Sequence, residues 1–224
     1  MNKKLVSLVI LTSVLSLFIT GCLKEVEDET PPVIIVLGNN PQYMRLNTSY
    51  KDTGVLVTDN NSIFKITTDV SQLDTSKAGR YNVLYIAEDF NNNTSQQKRV
   101  VVVRIEGPNL EGQWIGQRTE PLVGGTAVAF EDSLASLGMN KIKFMNIGGL
   151  STKTINSDLL GNLGDTLAFY NQIVQITDTS VVSISGAGKI ASDGKSFEIG
   201  YQRIIDISGD RDTLVGKLVY QKKN

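Results

Sequence analysis

Gly79-Arg80-Tyr81-Asn82-Val83-Leu84-Tyr85-Ile86-Ala87-Glu88-Asp89 is the stretch that decides the fold class. Tyr81, Val83, Tyr85 and Ala87 take alternate positions, the period of an extended strand with one row of side chains on each face. Aromatic and β-branched residues suit such a pleated, half-buried surface. Downstream, Val100 to Ile105 is a continuous β-branched run. Upstream lie four shorter runs: Val33-Ile34-Ile35-Val36-Leu37, Tyr43 to Leu46, Gly54 to Thr58 and Ile63 to Val70. Gly38-Asn39-Asn40-Pro41 ends the first, and Asp59-Asn60-Asn61 ends the third, both turn-forming clusters. Strands at this spacing with no sustained helical period predict an antiparallel β-sandwich over residues 31–105.

The turn and strand residues together resemble a known family. Asp28-x-x-Pro31-Pro32-Val33-Ile34, Asp52-x-Gly54-Val55, Thr58-Asp59-Asn60, Asp74-Thr75-Ser76-x-x-Gly79-x-Tyr81-x-Val83-x-Tyr85 and Ala87-x-Asp89 are similar to the immunoglobulin-like repeat of bacterial surface proteins. That repeat occurs in Bacteroidetes lipoproteins and in some pesticidal crystal proteins. The resemblance implies a spacer or presentation module. Asn92 stands where the family usually has Gly, and Asn tolerates the left-handed backbone such a turn requires. Asp89-x-Asn91-x-Asn93 imitates the first ligands of an EF-hand, but Thr94 replaces the glycine and Val100 the bidentate glutamate. Both it and Asp59-Asn60-Asn61 are read as turns, so no metal is expected.

Residues 106–109, Glu-Gly-Pro-Asn, read as a linker to a second domain at 110–224. Gly112-x-Trp114 resembles the opening of lipocalin-like barrels, where the tryptophan plugs one end. Strands are expected at Asn140 to Ile147, Gln172 to Ile176, Val181 to Ser185, Ser196 to Ile207 and Leu214 to Tyr220. Phe197, Ile199, Tyr201, Ile205 and Ile207 share one face, as do Leu214, Gly216, Leu218 and Tyr220. Asp193-Gly194 signals a hairpin. Phe130 to Leu137 is expected to form a helical turn or two, and Gly148 to Gly164 a long loop. The fold class is therefore all-β: an Ig-like sandwich followed by a second antiparallel β domain, either a lipocalin-like barrel or a sandwich.

The N-terminus reads as an export signal over residues 1–21. Lys3 and Lys4 precede an apolar run, Leu5 to Ile19, and then Ile19-Thr20-Gly21-Cys22. This resembles a bacterial lipoprotein lipobox, which implies lipidation of Cys22, the chain's one cysteine, and attachment to the membrane. Residues 22–30, with Lys24, Glu25, Glu27, Asp28 and Glu29, make an acidic tether. Its start is similar to the surface-export signal of Bacteroidetes lipoproteins. An outer-membrane, cell-surface location is expected, with a periplasm-facing one as the alternative.

Composition bounds the chemistry. Without the signal's two lysines, 20 basic residues face 23 acidic ones, a net charge of −3. That offers no basic footprint for nucleic acid. No histidine is present, which removes Ser-His-Asp and Cys-His catalysis and every His-based metal site. Glu120, Glu131, Asp132, Asp165, Glu198, Asp206, Asp210 and Asp212 supply carboxylates for glycoside chemistry, but no pair stands out by spacing. Trp114, Phe90, Tyr170 and Tyr43 are the aromatic candidates for a ligand platform, with Trp114 also suited to a core. Asp-Ser/Thr-Leu at Ser133, Thr166 and Thr213 resembles the Bacteroidetes O-glycosylation acceptor. The sequence thus points to a non-enzymatic, lipid-anchored envelope protein without cofactor, binding a glycan, a small ligand or a surface protein. A carrier of a small apolar ligand is the alternative, and a glycan-active enzyme a further one.

Overall fold

The structure, a computed structural model, describes residues 27–120, 125–149, 154–177, 180–207 and 209–223. The expected signal and Cys22 lie outside the described residues. The first domain has six strands: β1 (Val33–Val36), β2 (Gln42–Arg45), β3 (Val55–Thr58), β4 (Ile63–Asp69), β5 (Gly79–Asp89) and β6 (Thr94–Arg104). β1 and β3 pair antiparallel, and the second sheet has the order β2-β6-β5-β4, in which β2 runs parallel to β6, contrary to the antiparallel expectation, while the other pairs are antiparallel. The alternation of Tyr81 to Ala87 does what its period dictates: Val83, Tyr85 and Ala87 have no exposed surface, and Tyr81 packs on the same core.

A guanidinium explains the spacing of the Asp52-x-Gly54 and Tyr85 motifs. Arg99, on β6, has a fully buried side chain. Its Nε donates to Tyr85 Oη at 3.0 Å, and its other nitrogens donate to the carbonyls of Asn39 (2.7 Å), Leu37 (2.6 Å) and Gly54 (3.2 Å). Tyr85 in turn donates to Asp52 Oδ1 at 2.6 Å, and Tyr50 does so at 3.0 Å. The cluster ties the ends of β1 and β3 to the larger sheet, with the buried charge compensated by Asp52 at 3.4 Å.

The second domain is a closed barrel of eight strands. They are β7 (Gly112–Thr119), β8 (Val128–Ser136), β9 (Lys141–Phe144), β10 (Ile155–Leu160), β11 (Thr166–Thr177), β12 (Ser180–Ile190), β13 (Ser196–Ile207) and β14 (Asp210–Lys222). Each pairs antiparallel with its neighbour in sequence, and β14 returns to β7, placing Tyr220 opposite Gly116. Of the two expected forms, barrel and sandwich, the chain adopts the barrel.

Two expectations change. Phe130 to Leu137 is strand β8 and not helix, because Phe130, Asp132 and Leu134 turn inward at period two and Gly112–Arg118 supplies the paired edge. The region 148–164 is not all loop. It contains β10, whose inward row Ile155, Ser157 and Leu159 carries a serine that interrupts the apolar alternation. Ser157 is buried there because its hydroxyl donates to the Ala168 carbonyl at 3.1 Å. The 106–109 linker stretch overlaps a short helix, α1 (Gly107–Leu110).

α1 sits between the two domains. Asn109 Nδ2 donates to the Leu46 carbonyl at 2.9 Å, Ile105 N to Leu163 at 2.8 Å, and Ala78 N to Ser192 at 2.7 Å. Gly164, at φ 64°, must be glycine here for a second reason: a Cβ would collide with the Ile105 carbonyl. The buried apolar side chains of both domains form one connected cluster. The turns touching the first domain are those after β8, β10 and β12, so they define the barrel floor. The opposite end, where β7 and β13 finish, is the mouth.

Candidate functional site

The floor and middle of the barrel are packed. Trp114 has no exposed surface, and its indole N–H donates to the Leu110 carbonyl at 2.8 Å. Its ring lies 4.8 Å from Phe197 and 6.4 Å from Tyr220, and Tyr220 stacks on Phe197 at 4.5 Å. Phe144 meets Phe169, Phe197 and Tyr220 edge-on or tilted. An eight-stranded barrel is just wide enough to be filled by side chains, and rings with 0–2% exposure leave no water-sized void beside them. Above this layer Asp132 Oδ2 accepts from Tyr220 Oη at 3.0 Å, and Tyr220 Oη accepts from Gly148 N at 3.0 Å. Burial pushes the Asp132 carboxyl up, opposed by donors from Asn146 N, the Tyr220 hydroxyl, Ser133 N and Met145 N. Burial also holds the Tyr220 hydroxyl well above its ordinary range.

Toward the mouth the interior becomes charged. Glu120 is 2% exposed, at the inward-facing position that continues the Trp114, Gly116, Arg118 row of β7. Its carboxylate accepts a hydrogen bond from the Tyr201 hydroxyl and another from Arg203 Nη2 at 2.9 Å. Arg118 Nε lies 3.9 Å away, and Arg118 Nη1 is held by the Gly148 carbonyl at 2.7 Å. Two guanidiniums thus share one carboxylate, and among the described residues Arg203 Nε finds no acceptor. Burial and the Glu120 carboxylate raise the Tyr201 hydroxyl far above its usual range. Gly216 lets that ring lie flat on β14, since a Cβ there would come within 2.7 Å of it.

β13 and β14 continue beyond this layer and line an opening of about 290 Å³ with Ile205, Ile207, Asp210 and Asp212. Register places Ile205 opposite Asp212 and Ile207 opposite Asp210. The apolar side chains and the two carboxylates therefore share one wall, with Arg203 at its base. A larger concavity, about 500 Å³, lies along the barrel flank over Ile115, Gln117, Ala129, Glu131, Val219 and Gln221. Its one titratable group, Glu131, is already engaged by Lys223 Nζ at 2.7 Å. Charge and unsatisfied hydrogen bonding favour the mouth.

The aromatic candidates from the sequence are not brought together. Trp114 belongs to the floor core and presents no face to solvent. Phe90 and Tyr170 are exposed, at 64% and 68%, Phe90 at the β5–β6 turn against Phe64 and Tyr170 on the barrel wall. Tyr43 is exposed on β2 beside Arg104. Of the acceptor serine and threonines, Thr213 is exposed, whereas Ser133 and Thr166 are half-buried. Arg118 and Arg203 carried no signal in the sequence, because two basic residues about eighty positions apart become neighbours only when the barrel closes. For a metal, the described residues offer one group: Asp28, Asp59 and Asp89, with carboxylate oxygens within 4.8 Å of one another.

Residues 34–103 match the family model described as bacterial surface protein, Ig-like domain. A bacterial surface domain suggests a cell-envelope location and favours a non-enzymatic protein. No helix of the described residues is long and apolar enough to cross a membrane, which says nothing of strands. No curated protein matches the chain. Among solved structures, a lipoprotein from Bacteroides thetaiotaomicron is similar at 13% identity and a TM-score of 0.30, over 85% of this chain and 100% of that one.

Proposed function

We propose that this chain is a non-enzymatic envelope lipoprotein, anchored through Cys22, that holds a lipocalin-like barrel away from the membrane and binds a glycan at the barrel mouth. The observation that carries the binding reading is the Arg118–Glu120–Tyr201–Arg203 layer, with Glu120 and Tyr201 buried and the two arginines half-buried, beneath Ile205, Ile207, Asp210 and Asp212. Buried charges rarely add net stability, because desolvation offsets their attraction. An apolar layer would close the barrel as well, so the charges suit recognition. A sugar matches the wall: its C–H face lies on the two isoleucines, and vicinal hydroxyls donate to Asp210 and Asp212 and accept from Arg203. The packed rings below leave no room for a long apolar chain, which disfavours the carrier alternative.

The first domain's membership among surface modules supports the stand-off role. Its tether end, the β3–β4 and β5–β6 turns, lies opposite the end that joins the barrel floor. β5 alone, with 11 residues, spans about 36 Å at ~3.3 Å per residue. The test is a glycan array probed with the full chain, followed by titration of Asp212→Asn and Arg203→Met. Asp212 is exposed, so its variant folds unaltered and should lose at least about tenfold in affinity, the loss of one hydrogen bond to a charged group. Failure of the wild type to bind any glycan, or wild-type affinity in both variants, would reject the site.

A further inference from the structure

Two phenylalanine rings stand in water at the tether end of the first domain. Phe90, in the β5–β6 turn, is 64% exposed, and Phe64, near the start of β4, is 58% exposed. The rings meet edge to face, with centroids 5.3 Å apart and planes at 65°. Ile66, further along β4, is exposed as well. Single apolar residues on a surface are ordinary, but large ones gathered at one tip mark a surface that meets something apolar. Asn60, Asn61, Asn91 and Asn92 around them are exposed and polar, so the patch has a wet rim.

The independent observation is how close this tip lies to the start of the chain. Asn61 Nδ2 donates to Asn91 Oδ1 at 3.3 Å and ties the two turns together. Asn60 Nδ2 donates to Asp28 Oδ1 at 3.0 Å, and Asn93 Nδ2 donates to the Asp28 carbonyl at 2.7 Å. Asp28 therefore lies against both turns that carry the rings. Cys22 is six residues before Asp28, a reach of at most about 22 Å for a fully extended chain. A lipid on Cys22 thus keeps a bilayer beside the tip at all times.

We propose that Phe64 and Phe90 seat in the surface of the lipid bilayer that holds Cys22, planting the first domain on its tether end. This rests on the anchor at Cys22 proposed above. Phenylalanine is a residue that interfacial segments bury at the headgroup and acyl-chain boundary. A short tether holds tip and bilayer at an effective concentration on the order of millimolar, so a contact too weak to recruit a free protein orients an anchored one. Asp89 precedes Phe90 and has Asp28 and Asp59 close by, while Lys65 follows Phe64. That acidic balance suits zwitterionic headgroups better than anionic ones. The barrel floor joins the opposite end of the domain, so a seated tip turns the barrel mouth away from the lipid.

The test uses the chain from Cys22 onward, coupled through that thiol to a maleimide lipid in vesicles of phosphatidylcholine and phosphatidylethanolamine. Chemical coupling supplies the anchor, so the result is independent of whether cells lipidate Cys22, which a fatty-acid label reads separately. Phe90→Trp places an indole at the tip, and Tyr170→Trp, on the exposed barrel wall, is the control; the emission of Trp114 is common to both and is subtracted. Lipid brominated on its acyl chains should quench the added emission of Phe90→Trp at least about twofold, as for a ring buried at the acyl boundary, and leave Tyr170→Trp unchanged. Adding Phe64→Ser, or replacing phosphatidylcholine with phosphatidylglycerol, should reduce the quenching. Phe64→Trp takes the place of Phe90→Trp if the latter lowers the melting midpoint. No quenching at the tip, or equal quenching on the barrel wall, would overturn the proposal. So would a blue shift that grows with surface density and without quenching, which would assign the rings to a second copy of the chain.

Discussion

Replacing Trp114 with alanine would remove the floor of the barrel. The indole has no exposed surface, touches the Phe197 and Tyr220 rings, and satisfies the Leu110 carbonyl. Large aromatic truncations in a core cost about 3–5 kcal/mol. Here the Leu110 carbonyl also loses its partner, a loss of about 1 kcal/mol if water cannot replace it. The expected destabilisation is therefore about 4 kcal/mol, a large part of the 5–15 kcal/mol typical of a folded domain. Trp114→Phe keeps a ring on Phe197 and should lose only about 1–3 kcal/mol. The assay is urea denaturation of the full chain followed by far-UV circular dichroism, because the chain has no other tryptophan to report by fluorescence. The first domain should feel the change. Leu110 ends α1, and Asn109 of the same helix holds the Leu46 carbonyl. A loss below about 1 kcal/mol, the scale of ordinary surface substitutions, would refute the account of the floor.

Two carboxylates, the half-buried Asp52 and the buried Asp132, should give opposite pH signatures. Burial alone would raise Asp52, but hydrogen bonds from Tyr85, Gly54 N and Tyr50 and the Arg99 charge bring it below its usual range. Its contribution is then present above the unfolded value of about 3.9 and lost as pH falls through the folded one. Asp132 is raised by burial, so its contribution is largest below the unfolded value and declines as pH rises through the folded one. Denaturation midpoints from pH 3 to 7 should therefore change in opposite senses for Asp52→Asn and Asp132→Asn, and parallel changes would contradict both assignments. At the N-terminus, Cys22→Ala should abolish incorporation of a fatty-acid analogue in cells. Label retained by that variant would remove the anchor.

Local chemistry carried much of this protein into its sequence. The period-two rows of Tyr81 to Ala87, of Phe197 to Tyr201 and of Leu214 to Tyr220 each turn one face into the core, so strands and core were legible where apolar residues alternate without interruption. Legibility failed where a polar residue took an inward position. Ser157 in β10 and Asp132 in β8 broke the apolar rhythm, and both are tolerated because Ala168 satisfies the first, and the neighbouring Ser133 N together with Asn146 N and the Tyr220 hydroxyl satisfies the second. Register and closure are long-range properties, decided by β14 returning to β7. The charged layer of Arg118, Glu120, Tyr201 and Arg203 exists only after that closure, and no spacing along the chain encodes it. The same holds at the tether end. Asp59 and Asp89 read separately as turn residues, and Asp28 as part of a solvated linker. Only the folding of β3, β4 and β5 into adjacent positions makes the three one cluster, because electrostatics depends on distance through space and the sequence records distance along the chain.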